Sequence, residues 1–346
     1  MENFQAIQPV GEGAYGEVWK AFDQRSGEVV AIKKLRRSYY SWKDCMNLRE
    51  VKSLSKMKHP NIVKLQEVIK QHDSLYFVFE YMETNLNRII RQRKSFFTNL
   101  EVRSWCFQIL LGLNHMHQKG YFHRDLKPEN LLVSENVMKI ADFGMVKEID
   151  SEPSYTKYVT TRWYRAPEVI LKSSNYNSKV DMWAVGAIMA EMYALHPIFP
   201  GKDAADQMFK ICRVLGSPTQ ETWPEGLVLA RSLGYQFPEL PGVNLSKFMP
   251  SASEDAISFI SWLCSWDPLK RPTAAQALQH PFFRNNGFWA PVSFLGAPPG
   301  FEVPRRAMKM ENKVSDFDKV IGPWKLQCAG RLKPHLMMKT GVGLQC

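Results

Sequence analysis

"YFHRDLKPENLLVSENVMKIADFG", residues 121–144, sets acidic, basic and amide side chains at fixed spacings around two short apolar runs. Within HRDLKPEN (123–130), Asp125 offers a carboxylate that can accept a hydroxyl proton. Lys127 offers a positive charge near a transferring phosphoryl group, and Asn130 a neutral oxygen ligand for magnesium. The runs "LLV" and "MKIA" read as short strands, and the triplet Asp142-Phe143-Gly144 follows them. Asp142 is a hard oxygen donor suited to Mg2+, and Phe143 can pack inward and fix its direction. Alone, Asp-Phe-Gly is an ordinary turn; the two motifs at this spacing make that reading a poor one.

Towards the N-terminus, "VGEGAYGEV" (10–18) has glycines at Gly11, Gly13 and Gly16. Dinucleotide-binding folds share this spacing, but there the glycines open a helix. Here the residues from Val18 to Phe22 continue as a strand, so the loop joins two antiparallel strands and can fold over nucleotide phosphates, its amides unshielded by side chains. "VAIK" (30–33) places Lys33 at a strand centre, where an inward ammonium is costly unless an anion meets it. Phosphate oxygens fit that need. Met46, Leu48, Val51, Leu54 and Met57 recur at helical spacing, predicting a helix over about 43–57 whose inner face presents Glu50 as the orienting carboxylate for Lys33.

A chain of 346 residues with 45% apolar content is long for one core, so two lobes plus an extension are expected. Strand patterns such as "EVWKAF", "EVVAIKKL" and "SLYFVFEY" dominate as far as Phe79; helical patterns dominate from about Asn85. "NLEVRSWCFQILLGLNHMHQKG" has Leu100 at its entry and Gly120 at its exit, and "GSPTQETWPEGLVLARSLGYQFPELPG" (216–242) reads as an irregular insertion. Net charge is +11, and residues 284–346 hold ten Lys or Arg against four Asp or Glu, the pattern of a basic accessory tail. Without an aromatic-interleaved basic repeat, a nucleic-acid partner is not expected. The six cysteines form no CxxC pair, which points to reduced thiols in the cytosol or nucleus. The start shows no leader pattern, and the longest apolar run (182–195) is too short to span a bilayer and contains Glu191, so a buried helix and no membrane partner are expected.

Gly11, Gly13, Gly16, Lys33, Glu50, His123, Arg124, Asp125, Lys127, Asn130, Asp142 and the Ala166-Pro167-Glu168 triplet stand in an order that resembles the eukaryotic protein kinases over about residues 4–283. "LKPEN" resembles the serine/threonine class; "WYRAPE", "HPFF" and the long insertion resemble the group holding cyclin-dependent and MAP kinases. "NLREVKSL", "FEYMETNL" and a Thr-x-Tyr pair are similar to the MAK/ICK/MOK kinases and their plant relatives. The resemblance implies an α+β, bilobal fold, with a small β-rich lobe to about residue 82, a larger helical lobe to 283 and the tail beyond. It implies an ATP-dependent serine/threonine protein kinase that uses Mg2+ held by Asn130 and Asp142. ATP would lie under Val10, Gly11, Glu12, Gly13, Ala14, Tyr15, Gly16, Glu17 and Val18. Its adenine would sit between Val10, Val18 and Ala31 against the backbone of Glu80 and Met82, with Phe79 closing the inner pocket. Lys33, held by Glu50, would position the phosphates. Leu54, Leu65, His123 and Phe143 would stack as a spine, Asp181 would anchor the catalytic loop, and Glu168 would pair with Arg271.

"SYTKYVTTRWYRAPEV" (154–169) would then fall at the end of an activation segment that runs from Asp142 to Ala166. A phosphate on Thr156 adds nearly two charges and would gather Arg49, Arg124 and Lys147. A phosphate on Tyr158 would meet Arg162 or Arg165, and Thr161 would bridge Asp125 and Lys127. If Arg165 takes the carbonyl that would otherwise accept the N–H of the residue after the phosphoacceptor, an ordinary residue there leaves a donor unpaired, whereas proline has none. Protein substrates with Ser-Pro or Thr-Pro sites follow, together with an upstream activating kinase. Lys157 replaces the acidic residue usual in the pair, which bears on which kinase that is. Ala14 stands where cyclin-dependent kinases carry a phosphorylatable Thr, and Arg49 lies in "NLRE" and not in a cyclin-binding signature. A monomer without a cyclin is expected. Two competing readings are a catalytically inactive kinase-fold scaffold, against which Lys33, Asp125, Asn130 and Asp142 are all present, and a metal protein using His115, His117 and His123.

Overall fold

Period-two patterns put every second side chain of a strand on one face, and that face must be covered. In the computed structural model, which describes residues 1–13, 16–149 and 161–284, the covered face holds Ala21, Val30, Ile32 and Val78, with Phe4, Ile69 and Tyr76 packed against them. The strands are β1 (Phe4–Gly13), β2 (Gly16–Asp23) and β3 (Glu28–Leu35), then, beyond helices α1 (Trp42–Met46) and α2 (Arg49–Lys56), β4 (Leu65–Gln71) and β5 (Ser74–Glu80). They form one five-stranded sheet in the order β1-β2-β3-β5-β4. Its pairs are antiparallel, and the register sets Lys33 opposite Val18 on one side and Phe77 on the other.

The helix expected over 43–57 is two helices. Asn47 ends α1 by turning its amide back to the carbonyls of Cys45 and Lys43, and Leu48 is extended (φ −60, ψ 136), so α2 starts afresh at Arg49. Apolar spacing runs through the break because Cys45, Val51 and Leu54 are buried on both sides of it. Strand β4 was not legible as a strand: its residues are half-buried with almost no alternation.

The second lobe begins with β6 (Thr84–Asn85), α3 (Leu86–Gln92) and α4 (Asn99–Gln118). Thr98 and Glu101 close a reciprocal capping box at the start of α4, and Gly120, at φ +79, lets the chain leave it. Then come β7 (Tyr121–Phe122), β8 (Leu131–Ser134), β9 (Val137–Ile140) and β10 (Lys147–Glu148), arranged as a three-stranded β6-β8-β9 sheet and a β10-β7 pair. Helices α5 (Pro167–Ile170), α6 (Lys179–Ala194), α7 (Ala204–Leu215), α8 (Pro224–Ser232), α9 (Leu245–Phe248), α10 (Glu254–Leu263), α11 (Ala274–Ala277) and α12 (Pro281–Arg284) complete the lobe. The α+β, two-lobed architecture expected from the sequence is the one observed. The apolar run at 182–195 is indeed a buried helix, α6, covered on every side. Among the described residues no helix is long and apolar enough to cross a membrane.

The insertion at 216–242 is not wholly irregular, since α8 lies within it. Pro224 sits in the first turn, where its missing N–H costs nothing, so a residue that reads as a breaker here starts a helix.

Buried α6 also carries Glu191, which accepts a hydrogen bond from the Tyr164 hydroxyl at 2.7 Å. Burial pushes its carboxyl from the usual 4.5 up to about 7. The unfolded chain therefore gives up this proton before the folded one does, and stability falls as pH rises from about 4.5 to 7. Between pH 4.5 and pH 8, thermal unfolding should show the Glu191→Gln variant gaining about 3 kcal/mol relative to the unmodified protein.

Candidate active site

Strand β3 and helix α2 meet at one ion pair. Lys33 Nζ donates to Glu50 Oε1 at 2.8 Å and Oε2 at 3.1 Å, and lies 3.6 Å from Asp142 Oδ1. Burial opposes the charge on Lys33, but Glu50 and Asp142 outweigh it and hold its pKa above the ordinary lysine value. Asp142 is in the left-handed region (φ 64, ψ 74), a conformation disfavoured for a residue with a Cβ. Phe143 beside it is fully buried, its ring edge-on to His123 at 5.5 Å and 72°. Of the four residues expected to stack as a spine, Leu54, His123 and Phe143 are buried and Leu65 is partly exposed.

Below them the HRDLKPEN loop is fixed from α6. Asp181, 1% exposed, accepts from the amides of His123 and Arg124 at 2.8 Å each and bonds His117 Nε2 at 2.9 Å. Those bonds hold Arg124 at φ 72, also left-handed. The His123 Nε2–H donates to the Ala141 carbonyl at 3.0 Å, while its Nδ1 accepts from the Asp125 amide at 3.3 Å. Lys127 donates to Asp125 Oδ2 at 2.7 Å, and the Asn130 amide NH2 donates to the Asp125 carbonyl at 2.8 Å. Asn130 thus spends a donor on the loop and keeps its oxygen as an acceptor. Asp142 Oδ1 is buried and has no hydrogen-bond partner among the described residues, the condition of an oxygen that awaits a cation. This donor set fits Mg2+.

The residues expected around the nucleotide differ in burial. Val18 and Ala31 are half-buried, Phe79 and Met82 buried, and Val10 lies at the exposed lip. Gly16 has a steric reason to be glycine, because a Cβ there would meet the Lys34 carbonyl oxygen at 2.0 Å, whereas a Cβ on Gly11 would enter open space. Glu12 and Glu17 are exposed, and Glu12 pairs with Arg36; Ala14 and Tyr15 lie outside the described residues. Glu80 holds more than the sequence suggested. Its amide donates to the Lys64 carbonyl at 3.2 Å, its Oε1 accepts from the Lys64 amide at 2.7 Å, and its carboxylate takes Lys139 of β9 at 2.8 and 2.7 Å. Lys139 carries no sequence signal, since a lysine in a short strand reads as solvated.

Of the phosphate-binding candidates, Arg49 is exposed at the start of α2, Arg124 and Lys147 are buried, and Arg162 and Arg165 are half-buried. Thr156 and Tyr158 lie outside the described residues. Thr161 is not brought into the bridge expected of it. It is exposed with no hydrogen bond to Asp125 or Lys127, and the shorter path is taken directly by Lys127. The histidine metal reading fails on geometry: His117 is bound to Asp181, His123 to Ala141, and His115 packs on His59 with ring centroids 5.1 Å apart. Glu168 and Arg271 pair as expected, at 2.6 and 2.8 Å, with only 3% and 1% of each exposed.

A glycine loop over a sheet, a lysine clamped by a helix carboxylate, and an Asp-Asn-Asp set on the facing lobe define a protein kinase domain. The chain matches the family described as "Protein kinase domain" over residues 4–283. It is 58% identical over 292 residues to Cyclin-dependent kinase F-4 of Oryza sativa subsp. japonica, covering 84% of this chain and 64% of that protein. It is 50% identical over 294 residues to Serine/threonine-protein kinase MAK of Homo sapiens (85% and 47% covered). Against Serine/threonine-protein kinase ICK of Mus musculus the identity is 52% over 285 residues (82% and 45% covered). The chain belongs to the protein kinase family and is a MAK/ICK-like member of it; it spans between 45% and 64% of the length of these relatives.

Removing one partner of a buried ion pair strands the other charge. Arg271→Met should therefore lower stability by about 3–5 kcal/mol in denaturant unfolding, and the double variant with Glu168→Leu should recover part of the loss.

Proposed function

We propose that this domain is an ATP-dependent serine/threonine protein kinase acting on Ser-Pro and Thr-Pro sites and switched on by phosphorylation of Thr156 and Tyr158. The observation that carries the reading is the placement of Lys33 Nζ between Glu50, at 2.8 Å, and Asp142, at 3.6 Å, with Asp142 Oδ1 otherwise without a hydrogen-bond partner. Lys33 and the glycine-loop amides would bind the phosphates of ATP, and the aliphatic faces of Val18 and Ala31 its adenine. Asn130 and Asp142 would hold Mg2+, which when bound neutralises charge on the phosphate oxygens. Asp125, its backbone amide held by His123 and its carbonyl by Asn130, would orient the substrate hydroxyl and accept its proton. Lys127, now on Asp125 Oδ2, would shift its charge towards the moving phosphoryl group.

Phosphate on Thr156 would draw together Arg49, Arg124 and Lys147, which belong to α2, the catalytic loop and β10 respectively. Arg165, on the link into α5, supports the preference for proline. The substrates would be proteins, an upstream kinase would supply the activating phosphates, and the domain would work as a monomer without a cyclin, nucleic acid or membrane, in the cytosol or nucleus.

Transfer of labelled phosphate to a basic protein tests the reading. Lys33→Met and Asp142→Asn should abolish turnover, and Asp125→Asn should lower it by about 10²–10⁴-fold. Full activity in the Lys33 or Asp142 variant would overturn the assignment, and an inactive parent after phosphorylation would favour the scaffold reading. In a second assay, a Ser-Pro peptide should outrun its Ser-Ala counterpart by a margin corresponding to about 1–3 kcal/mol, the cost of one unpaired donor. Equal rates would refute proline direction.

A further inference from the structure

Arg124 and Lys147 carry like charges, come from different elements, and are both largely buried, at 7% and 9% exposure. They face one aromatic ring. The Arg124 guanidinium carbon lies 5.6 Å, and Lys147 Nζ 5.8 Å, from the ring centroid of Tyr176, in the link between α5 and α6. That ring is in turn held edge-on by Phe122 of β7, itself buried, at 6.1 Å and 84°. Nothing in the sequence singled Tyr176 out.

The face of an aromatic ring is electron-rich, and a cation within about 6 Å of its centroid is attracted to it. Two cations drawn to one ring repel each other, and attraction to its face offsets part of that cost. We propose that Tyr176 is a positioning residue of the phosphate-receiving cluster: its one ring holds both Arg124 and Lys147 before any phosphate arrives. A phosphate on Thr156 then meets a preformed pair and does not have to order two separate side chains, so more of its binding energy goes into fixing the segment. This rests on the reading of Thr156 as an activating site. The ring face does the holding, so phenylalanine should replace tyrosine while an aliphatic residue of similar bulk should not.

The full chain, prepared with and without phosphothreonine incorporated at position 156 by amber suppression, supplies the test in the parent and in Tyr176→Phe, Tyr176→Leu and Tyr176→Met. The measured quantity is the ratio of kcat/KM on a Ser-Pro peptide between phosphorylated and unphosphorylated forms. The Leu and Met variants should show a ratio lowered about fivefold, equivalent to about 1 kcal/mol, with unphosphorylated activity unchanged and thus folding intact. The Phe variant should keep the parental ratio. An unchanged ratio in Leu and Met overturns the proposal, and so does an equal proportional loss in both forms, which marks a purely structural role. If phosphothreonine fails to activate the parent, the activation reading itself falls and takes this proposal with it, an outcome distinct from activation that is indifferent to Tyr176.

Discussion

Lys33 and Glu50 can share the interior only because each cancels the other's charge. An ammonium at a strand centre and a carboxylate on a buried helix face would each be costly alone. Their contact at 2.8 Å therefore fixes where α2, with buried Leu54 on it, lies against the sheet. The same lysine reaches Asp142 at 3.6 Å, so one charge ties the small lobe to the segment that follows β9. Breaking α1 from α2 at Asn47 and Leu48 lets the second helix take the orientation this pair demands, whatever the register of the first.

The larger lobe uses the same device twice more. Asp181 is charged and buried, and its partners are the amides of the catalytic loop, so the loop cannot drift without stranding it. Arg271 and Glu168 tie the link before α11 to α5 in the same way. These fixed points hold the left-handed residues Arg124 and Asp142 in place; Arg124 precedes Asp125, and Asp142 is itself a group given a chemical task. Glu80 extends the scheme to the join between the lobes, where one carboxylate takes the Lys64 amide and the Lys139 ammonium together.

Much of the site was legible because its parts are local motifs whose spacing leaves few alternatives. Lys33 with Glu50 was named from the chain and Glu168 with Arg271 from the family resemblance, and both pairs meet in space. Thr161 makes no hydrogen bond to Asp125 or Lys127 in this arrangement, and the side-chain direction its expected role requires is one that no motif encodes. Strand β4 escaped because its residues are half-buried on both faces, and α8 because Pro224 reads as a breaker unless its place in the first turn is known.

By itself the sequence determined the two-lobed α+β division, the glycine loop, the polar groups of the site and the family to which the chain belongs, since each follows from periodicity or from residue types at short, fixed separations. Only the tertiary structure decided that Lys139 reaches Glu80, that Tyr176 lies under Arg124 and Lys147, and that the helix carrying Glu50 is broken. Those contacts join residues tens of positions apart through side chains ordinary in their own surroundings. Their energy comes from desolvation and distance, and both exist only once the chain has folded.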